Sequence, residues 1–227
     1  MPEELTQTII LPIPSSRNGR EVTGTDVSLD TLAAQAAGGM LIAGYGLPYE
    51  FRRRAEELGA TVADVKDDER FTLENAGLTA ECTLSYIMNG SEVSVGEMRL
   101  GIVGYGRICR VLLELLLFLG ADVSVFTRRE STRLELLFSG VDAVLVPDAE
   151  LSGFDLLINT APACLFSKKQ CENIDCEVLE LAPGDNFPWA KRVTRLPSLP
   201  AKMLPKSSGR AYARAVARII GGRGECK

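Results

Sequence analysis

The stretch MRLGIVGYGRICRVLLELLLFLGADVSVFT, residues 98–127, predicts a strand, a glycine turn, an apolar helix and a second strand. The predicted helix spans residues 107–119 and is closed by Gly120. Gly104 allows the tight bend, Gly106 lets phosphate groups approach the main chain, and the positive end of the helix dipole favours an anion. The segment therefore predicts a Rossmann-like parallel sheet that binds NAD(P).

The third small position of this turn departs from the usual glycine pattern, because Cys109 stands there. A thiol is still small enough to pack the helix against the strand. We therefore keep the prediction of a pyrophosphate-binding turn. Its candidate cofactor-binding residues are Gly104, Tyr105, Gly106, Arg107 and Ile108.

The end of the second strand indicates which nicotinamide cofactor is preferred. An NAD-selective site usually carries Asp or Glu there to bind the ribose hydroxyls, but this chain has Thr127, Arg128 and Arg129. Arginine side chains match the oxygen atoms of a 2′-phosphate. These residues favour NADP, with NAD as the other possible cofactor; alternatively, the two arginines simply lie in solvent at a helix start beside Glu130.

Two further apolar segments predict strands that end next to the same site. In open parallel sheets, ligands bind just beyond the carboxyl ends of strands. The nicotinamide is therefore expected between two loops, although proline and glycine are also ordinary turn residues. The candidate cofactor-binding residues of these loops are Asn159, Thr160, Ala161, Pro162, Ala182 and Pro183.

Length and charge restrict the class of protein. The chain has 227 residues, enough for two domains, and its net charge of −5 argues against nucleic acid or an anionic membrane as a partner. We predict an amino-terminal α/β substrate or interaction domain over residues 1–92, the NAD(P)-binding domain over 93–205 and a returning carboxyl-terminal helix over 206–227. The opening residues 1–4 do not resemble a signal peptide, so a cytoplasmic location is expected.

The chain contains no histidine, which removes the commonest general base and metal ligand. Catalysis by a histidine-dependent hydroxy-acid dehydrogenase or by a Ser-His-Asp hydrolase is therefore excluded. The six cysteines lack Cys-x-x-Cys spacing and predict reduced, mostly buried thiols, and no metal site is predicted. They are Cys82, Cys109, Cys164, Cys171, Cys176 and Cys226.

The amino-terminal half contains a partial copy of the glycine turn. LIAGYG at residues 41–46 followed by GATV at 59–62 parallels the segments ending at Gly106 and Val123. Tyr49 occupies the third small position and would obstruct close packing of helix and strand. We interpret this half as a second, smaller flavodoxin-like or Rossmann-like α/β domain without a dinucleotide, although chance similarity is a comparable explanation.

The predicted helix over 107–119 is apolar on nearly all sides, so it needs cover beyond the sheet. Another helix, the first domain or a second copy of the chain could supply that cover, and a homo-oligomer is therefore expected. The carboxyl-terminal helix is one candidate, through Tyr212, Val216 and Ile219.

Taken together, the motifs resemble those of the A-type component of dipicolinate synthase, a family that makes pyridine-2,6-dicarboxylate for sporulation. The matching segments run in order along most of the chain. They are LPIP at 11–14, EN at 74–75, TAE at 79–81, GYGR at 104–107, INTAP at 158–162, PG at 183–184 and LPAKMLPKSSG at 199–209.

The resemblance implies a function and a set of site residues. It implies an NADP-dependent oxidoreductase with a substrate cleft between two domains, oxidation of a dihydropyridine dicarboxylate or a related cyclic dicarboxylate, and a flavoprotein partner subunit. In this interpretation Lys202 and Lys206 of the last loop hold carboxylates and Glu81 is the candidate base, although all three also suit exposed surface positions. The candidate substrate-binding residues are Ser15, Ser16, Arg17, Asn75, Thr79 and Ser207.

Several positions differ from the family pattern, and we expect an amino-terminal domain without the first strand and helix of the family's opening domain. Cys109, Ser198 and Ala201 replace glycines, and Asp185-Asn186 replaces a Gly-Thr pair. A carboxylate at Asp185 near a dianionic substrate requires a neutralising Lys or Arg. The alternative function is a non-catalytic nucleotide-binding protein that acts as a sensor or scaffold.

Overall fold

The computed structural model describes residues 7–222. The described part of the chain divides into two compact units, one formed by residues 7–74 with 208–222 and the other by residues 75–207. The opening residues 1–4 and Cys226, which entered the predictions above, lie outside the described residues.

The first unit is a small parallel α/β structure. Its three strands lie in the order β1-β2-β3, with Ile42 opposite both Ile9 and Val62. Ser28 caps the first helix by accepting hydrogen bonds from the N–H groups of Asp30 and Thr31. The elements are β1 (Thr8–Ile10), α1 (Leu29–Ala34), β2 (Leu41–Gly44), α2 (Tyr49–Glu57) and β3 (Thr61–Asp64).

The last helix, α8 (Pro205–Gly222), contributes to the core of this first unit. Val216 lies in one buried cluster with Val65 and Phe71, and Tyr212 and Ile219 pack against that cluster. The Tyr212 hydroxyl also donates to the carbonyl of Leu11 at 2.5 Å. The prediction that these side chains cover the apolar helix after residue 106 is therefore wrong, because they are used within the first unit.

The second unit is built on a six-stranded, all-parallel sheet in the order β6-β5-β4-β7-β8-β9. This strand order is that of a doubly wound dinucleotide-binding sheet. The predicted fold class, a Rossmann-like sheet with a second, smaller α/β domain, is confirmed. The strands are β4 (Arg99–Val103), β5 (Asp122–Thr127), β6 (Asp142–Leu145), β7 (Leu156–Asn159), β8 (Glu177–Glu180) and β9 (Val193–Arg195).

The remaining helices include two that the sequence did not reveal. Both α6 and α7 have five residues, too few to show a helical period, and β9 has only three residues. The helices of this unit are α4 (Arg107–Phe118), α5 (Glu130–Phe138), α6 (Lys168–Glu172) and α7 (Leu199–Met203).

The long helix α3 (Glu69–Gly90) begins directly after Asp68. The Asp68 carboxylate accepts a hydrogen bond from the N–H of Phe71 in the first turn. The helix contributes residues to both units, because the division falls after Glu74, whereas the sequence places the domain boundary near residue 92. Within residues 7–222, no helix is long and apolar enough to span a bilayer.

Four of the five described cysteines are buried, and Cys164 is exposed. Burial raises the pKa of Cys171 and of Cys176 to about 11. These thiols are therefore neutral at physiological pH, in agreement with their interpretation as structural residues.

Ser198 has a left-handed backbone conformation, with φ 56° and ψ 38°. It immediately precedes α7 and is exposed, and its side chain forms no capping hydrogen bond. A non-glycine residue in this region costs about 1–2 kcal/mol. The position is one at which the resembled family carries glycine, so the structure gives a backbone reason for that preference.

Replacing Ser198 with glycine is therefore expected to stabilise the protein. The Ser198→Gly variant should gain about 0.5–1 kcal/mol in the free energy of unfolding, since relief of strain exceeds the added entropy of the unfolded chain. Urea denaturation measures this change. Ser139→Gly is the matched control, because Ser139 has φ −86° and should lose stability on the same substitution; a loss at both positions would contradict the strain argument.

Candidate functional site

The glycine turn after β4 is held against the loop that follows β7. Gly104 has φ +89°, and its N–H donates to the carbonyl of Phe126 at 2.9 Å. A Cβ atom at Gly104 would lie 3.1 Å from Thr160 Oγ1 and from Ala161 Cβ. Both the backbone conformation and the close approach therefore require glycine at this position.

Gly106 has a different role, since its backbone is extended, with φ −100° and ψ −166°. A Cβ atom there would meet no described atom within 4 Å. Gly106 is the residue immediately before α4, so the open space lies at the amino terminus of that helix. Neither the backbone conformation nor the neighbouring atoms require glycine at position 106. Close approach of a ligand to the main chain is the remaining physical reason for a glycine here.

Cys109, in the first turn of α4, is fully buried in the core of the second unit. Burial raises the pKa of its thiol to about 12. The thiol is neutral and fills the small space between helix and strand, as expected from the sequence. The departure from the glycine pattern leaves the turn itself intact.

The strand order places the turn at the switch point of the sheet. From β4 the chain continues to β5 on one side, whereas β7 pairs with β4 on the other, with Val103 opposite Asn159. Ligands of doubly wound sheets bind in the crevice at this reversal. The amide N–H and the hydroxyl of Thr160 both donate to the carbonyl of Val103, at 3.0 and 2.9 Å, and fix the two loops together.

A cavity of about 420 Å³ opens beside this turn. It contains six of the predicted cofactor-binding residues and two that the sequence did not single out, Phe126 and Leu165. Leu165 follows the predicted loop by three residues and carries no motif, so only the folded chain identifies it. The lining residues are Gly104, Tyr105, Phe126, Thr127, Arg128, Arg129, Ala161 and Leu165.

The basic end of the cavity is formed where β5 meets α5. Thr127 is buried and its hydroxyl accepts a hydrogen bond from the N–H of Arg129 at 3.3 Å. Arg128 and Arg129 are exposed and form no ion pair within residues 7–222. The neighbouring Glu130 carboxylate instead pairs with Arg133 at 2.6 Å, which lowers the pKa of Glu130. Two arginine charges therefore remain for an anion at this end.

Tyr105 is held in place by Arg110 of α4, which also contacts α5. The guanidinium of Arg110 lies 4.1 Å from the centre of the Tyr105 ring, and it also pairs with Glu135 at 3.4 Å. This contact holds the aromatic ring at the cavity wall. The predicted residues Arg107 and Ile108 occupy the first turn of α4.

Behind the cavity lies a buried polar pair that sequence reasoning missed. Asn159 and Glu180 end neighbouring strands, both are buried, and Asn159 Nδ2 donates to Glu180 Oε1 at 2.6 Å. Asn159 also donates to the carbonyl of Ala161 and accepts from its N–H. The same Glu180 oxygen accepts from the N–H of Ala182. The two candidate nicotinamide loops are thus tied to one another through Glu180.

Burial raises the pKa of Glu180, although Asn159, Asn186 and the Ala182 N–H group favour its ionised form. One feature of the sequence could have identified Glu180 as a site residue. It is a carboxylate at the end of an otherwise apolar strand, where burial removes water from the charged group. Asn159, predicted as a cofactor ligand, instead lies beneath the loop and orients Ala161.

The related turn of the first unit is closed by its own carboxylate. Asp64, at the end of β3, accepts hydrogen bonds from the N–H groups of Gly46, Leu47 and Lys66 at 2.8–2.9 Å. A bound phosphate would need the same N–H donors. The structure thus supports the interpretation that this unit does not hold a dinucleotide, and the reason is this internal anion. The expected obstruction by Tyr49 is wrong, because its side chain is 74% exposed at the start of α2 and does not lie between helix and strand.

The predicted substrate residues of the first unit differ in availability. Ser15 is fully buried, and its hydroxyl donates to the Pro12 carbonyl and accepts from the Tyr45 N–H. Ser16 accepts a hydrogen bond from the N–H of Gly19, and Arg17 is exposed. Of these, Arg17 is the side chain best placed to meet a solute.

The corresponding residues of the second unit lie on helices. Lys202 belongs to α7 and Lys206 to the first turn of α8, so the prediction of a loop at these positions is wrong. Both lysines and Glu81 are exposed, and the burial that would favour Glu81 as a base is absent from the structure. The Thr79 hydroxyl donates to the Asn75 carbonyl at 2.7 Å, and Ser207 is half-buried.

The carboxylate of Asp185, which replaces a glycine of the resembled family, is neutralised in the structure. Arg195 Nη2 lies 2.5 Å from Asp185 Oδ1. The adjacent Asn186 is buried and donates to the carbonyl of Pro183 at 3.1 Å. Arg195 is therefore the cation that neutralises Asp185. Within residues 7–222, no group of three potential metal ligands comes together.

Comparison with known proteins identifies the fold. No family model and no curated relative matches the chain. The A-type component of dipicolinate synthase from Bacillus halodurans superposes with a TM-score of 0.81 at 19% identity, covering 94% of this chain and 79% of that one. The chain has the fold of this dipicolinate synthase component. The resemblance stated from the sequence is thereby confirmed as a likeness of fold.

Two further solved structures support this result. The corresponding component of dipicolinate synthase from Bacillus subtilis gives a TM-score of 0.83 at 19% identity, over 100% of this chain and 82% of that chain. A transhydrogenase from Sinorhizobium meliloti gives 0.64 at 13% identity, over 85% and 70% of the two chains. The architecture is therefore shared with a transhydrogenase as well as with dipicolinate synthase.

The open space at Gly106 gives a direct test of the turn. Gly106→Val should fold normally, because the backbone there is extended and a Cβ atom meets no described atom within 4 Å, but the variant should lose stabilisation by NADP. At one hundred times the dissociation constant, the wild-type protein should gain about 2.7 kcal/mol, measured as a rise in Tm of several degrees.

Gly38→Val is the matched control for this experiment, because a Cβ atom at Gly38 also meets nothing within 4 Å. It lies in the first unit and should retain the full NADP-dependent shift. An equal shift in the Gly106 variant would contradict the assignment of this turn to the cofactor.

Proposed function

We propose that the chain is a cytoplasmic NADP-dependent oxidoreductase that resembles the A-type component of dipicolinate synthase in function, acting on a dihydropyridine dicarboxylate or a related cyclic dicarboxylate. The observation that supports it best is the cavity that joins the Gly104 turn to Arg128 and Arg129. It combines a helix amino terminus with two arginines that have no ion-pair partner among the described residues.

Different residues of the chain would bind different parts of the cofactor. The backbone at Tyr105 and Gly106 would accommodate the pyrophosphate, and Arg128 and Arg129 would bind the 2′-phosphate. Thr160 and Ala161 fix the wall next to Gly104, while Glu180 holds this loop to the one at Ala182. When bound, NADP accepts a hydride at its nicotinamide ring.

The chemistry demands little acid–base catalysis. Conversion of a dihydropyridine to an aromatic pyridine would give one hydride to a bound nicotinamide and release one proton, and aromatisation favours the products. Alignment of the two rings is therefore the main requirement. This agrees with a chain that has no histidine. Lys202 and Lys206 are the proposed cations for the substrate carboxylates, and a flavoprotein partner subunit belongs to the same proposal.

A second candidate function is favoured by the exposure of Glu81. An exposed carboxylate lacks the desolvation that tunes a general base. A nucleotide-binding sensor or scaffold would need the cofactor cavity but no base. Such a protein would bind NADP without turnover.

Cofactor selectivity is tested by removing the arginines. Arg128→Ala combined with Arg129→Ala should weaken NADP binding about tenfold to hundredfold, because charge-assisted hydrogen bonds to the 2′-phosphate are lost. NAD binding should change little, and isothermal titration calorimetry distinguishes the two. Arg20→Ala, at an exposed position in the first unit, is the control. Equal losses for NADP and NAD would contradict the selectivity argument.

Turnover distinguishes the two functions. With NADP and a dihydropyridine dicarboxylate, the purified protein, alone or with a flavoprotein partner, should produce NADPH absorbance. Lys202→Ala should raise KM at least tenfold, since the substrate carboxylate loses its cation. Lys191→Ala, an exposed lysine of the same unit, should leave it unchanged. NADP binding without turnover under either condition would favour the sensor or scaffold.

A further inference from the structure

Two consecutive helices of the second unit end in the same short sequence pattern. FLGAD at residues 118–122 joins α4 to β5, and FSGVD at residues 138–142 joins α5 to β6. In each case the phenylalanine is the last helical residue. Phe118 is 89% exposed and Phe138 is 92% exposed, although phenylalanine is a residue that folding normally buries.

The two phenylalanines lie at the same edge of the same layer. Strands β5 and β6 are adjacent and parallel, with Ser124 opposite Asp142. Right-handed crossovers place α4 and α5 on one face of the sheet, and each helix ends where the next strand begins. The ion pair between Arg110 and Glu135 at 3.4 Å confirms that the helices are neighbours.

Four leucines extend this apolar surface, each 40–42% exposed. We call the combined surface the Phe118–Phe138 face. Its members are Leu117, Phe118, Leu119, Leu134, Leu137 and Phe138.

The size of this face is informative. With 150–250 Å² for a whole phenylalanine and somewhat less for leucine, the six side chains expose on the order of 600 Å² per chain. A monomer rarely exposes a contiguous apolar patch of this size without a function. Two such faces in contact would bury roughly 1,200 Å², which reaches the lower limit of a stable interface.

The rest of the described surface favours a second copy of the chain as the partner that covers this face. Four charged residues of α4 and α5 are paired within the chain, Arg110 with Glu135 and Arg133 with Glu130. Elsewhere in residues 7–222, large exposed apolar side chains occur one or two to an element, such as Tyr49 in α2. The best apolar partner for this face on a second copy of the chain is therefore the same face. Contact between identical surfaces is what a two-fold symmetric interface requires.

We propose that the Phe118–Phe138 face is the interface of a two-fold symmetric homodimer, in which the face of one chain packs against that of the other. The interface lies at the carboxyl ends of α4 and α5, whereas the glycine turn lies at the amino end of α4. Dimerisation therefore leaves the nucleotide cavity open. The inference is independent of the proposed function.

The mass of the full-length protein in solution tests the interface. By sedimentation velocity, the wild-type chain should behave as a dimer at micromolar concentration. Phe118→Asp combined with Phe138→Asp places four carboxylates in the symmetric interface and should weaken self-association at least a hundredfold. Because both side chains are almost fully exposed, the double variant should keep the wild-type circular dichroism spectrum.

Two controls keep the result specific. Tyr49→Asp changes another exposed aromatic residue, 74% exposed on α2, and should remain dimeric. Phe118→Ser with Phe138→Ser should also dissociate, without introducing charge. A monomeric wild-type chain, a dimer that survives both double variants, or a face that binds only a different protein would overturn the proposal.

Discussion

The second unit depends on the close contact between Gly104 and the loop at Thr160 and Ala161. This contact joins the carboxyl ends of β4 and β7, the two strands at which the sheet order reverses. Because Thr160 donates twice to the Val103 carbonyl, the loop is fixed before any ligand arrives. The cavity is consequently preorganised, and binding costs little for ordering it.

The two glycine turns show how one local structure acquires different roles. Each follows a buried strand and precedes a helix, and the sequences GYG at 44–46 and 104–106 are identical. In the first unit Asp64 neutralises the turn from within, and in the second the space in front of Gly106 stays open. The distinguishing residue lies at the end of the next strand, so the turn sequence alone does not determine binding.

The sequence predicted those features that arise from local periodicity and chain order. The strand at β4, the helix α4, the glycine turn and the basic residues after β5 all follow from short patterns, and each is found in the structure. Short elements such as α7 escaped prediction, which misplaced Lys202 in a loop. Glu180 was missed because its importance comes from pairing with Asn159, a contact between residues 21 positions apart. The placement of Tyr212 in the first unit likewise depends on long-range packing.

Cys109 occupies a position where cysteine chemistry is normally enhanced. The first turn of a helix stabilises a thiolate and often creates a reactive nucleophile. Here burial outweighs that field and keeps the pKa near 12. The helix terminus thus has no resident sulfur anion to compete with a phosphate for its positive potential. Burial of the Cys109 thiol thus leaves the positive potential of the helix terminus available to an external anion. It also protects the thiol itself from oxidation.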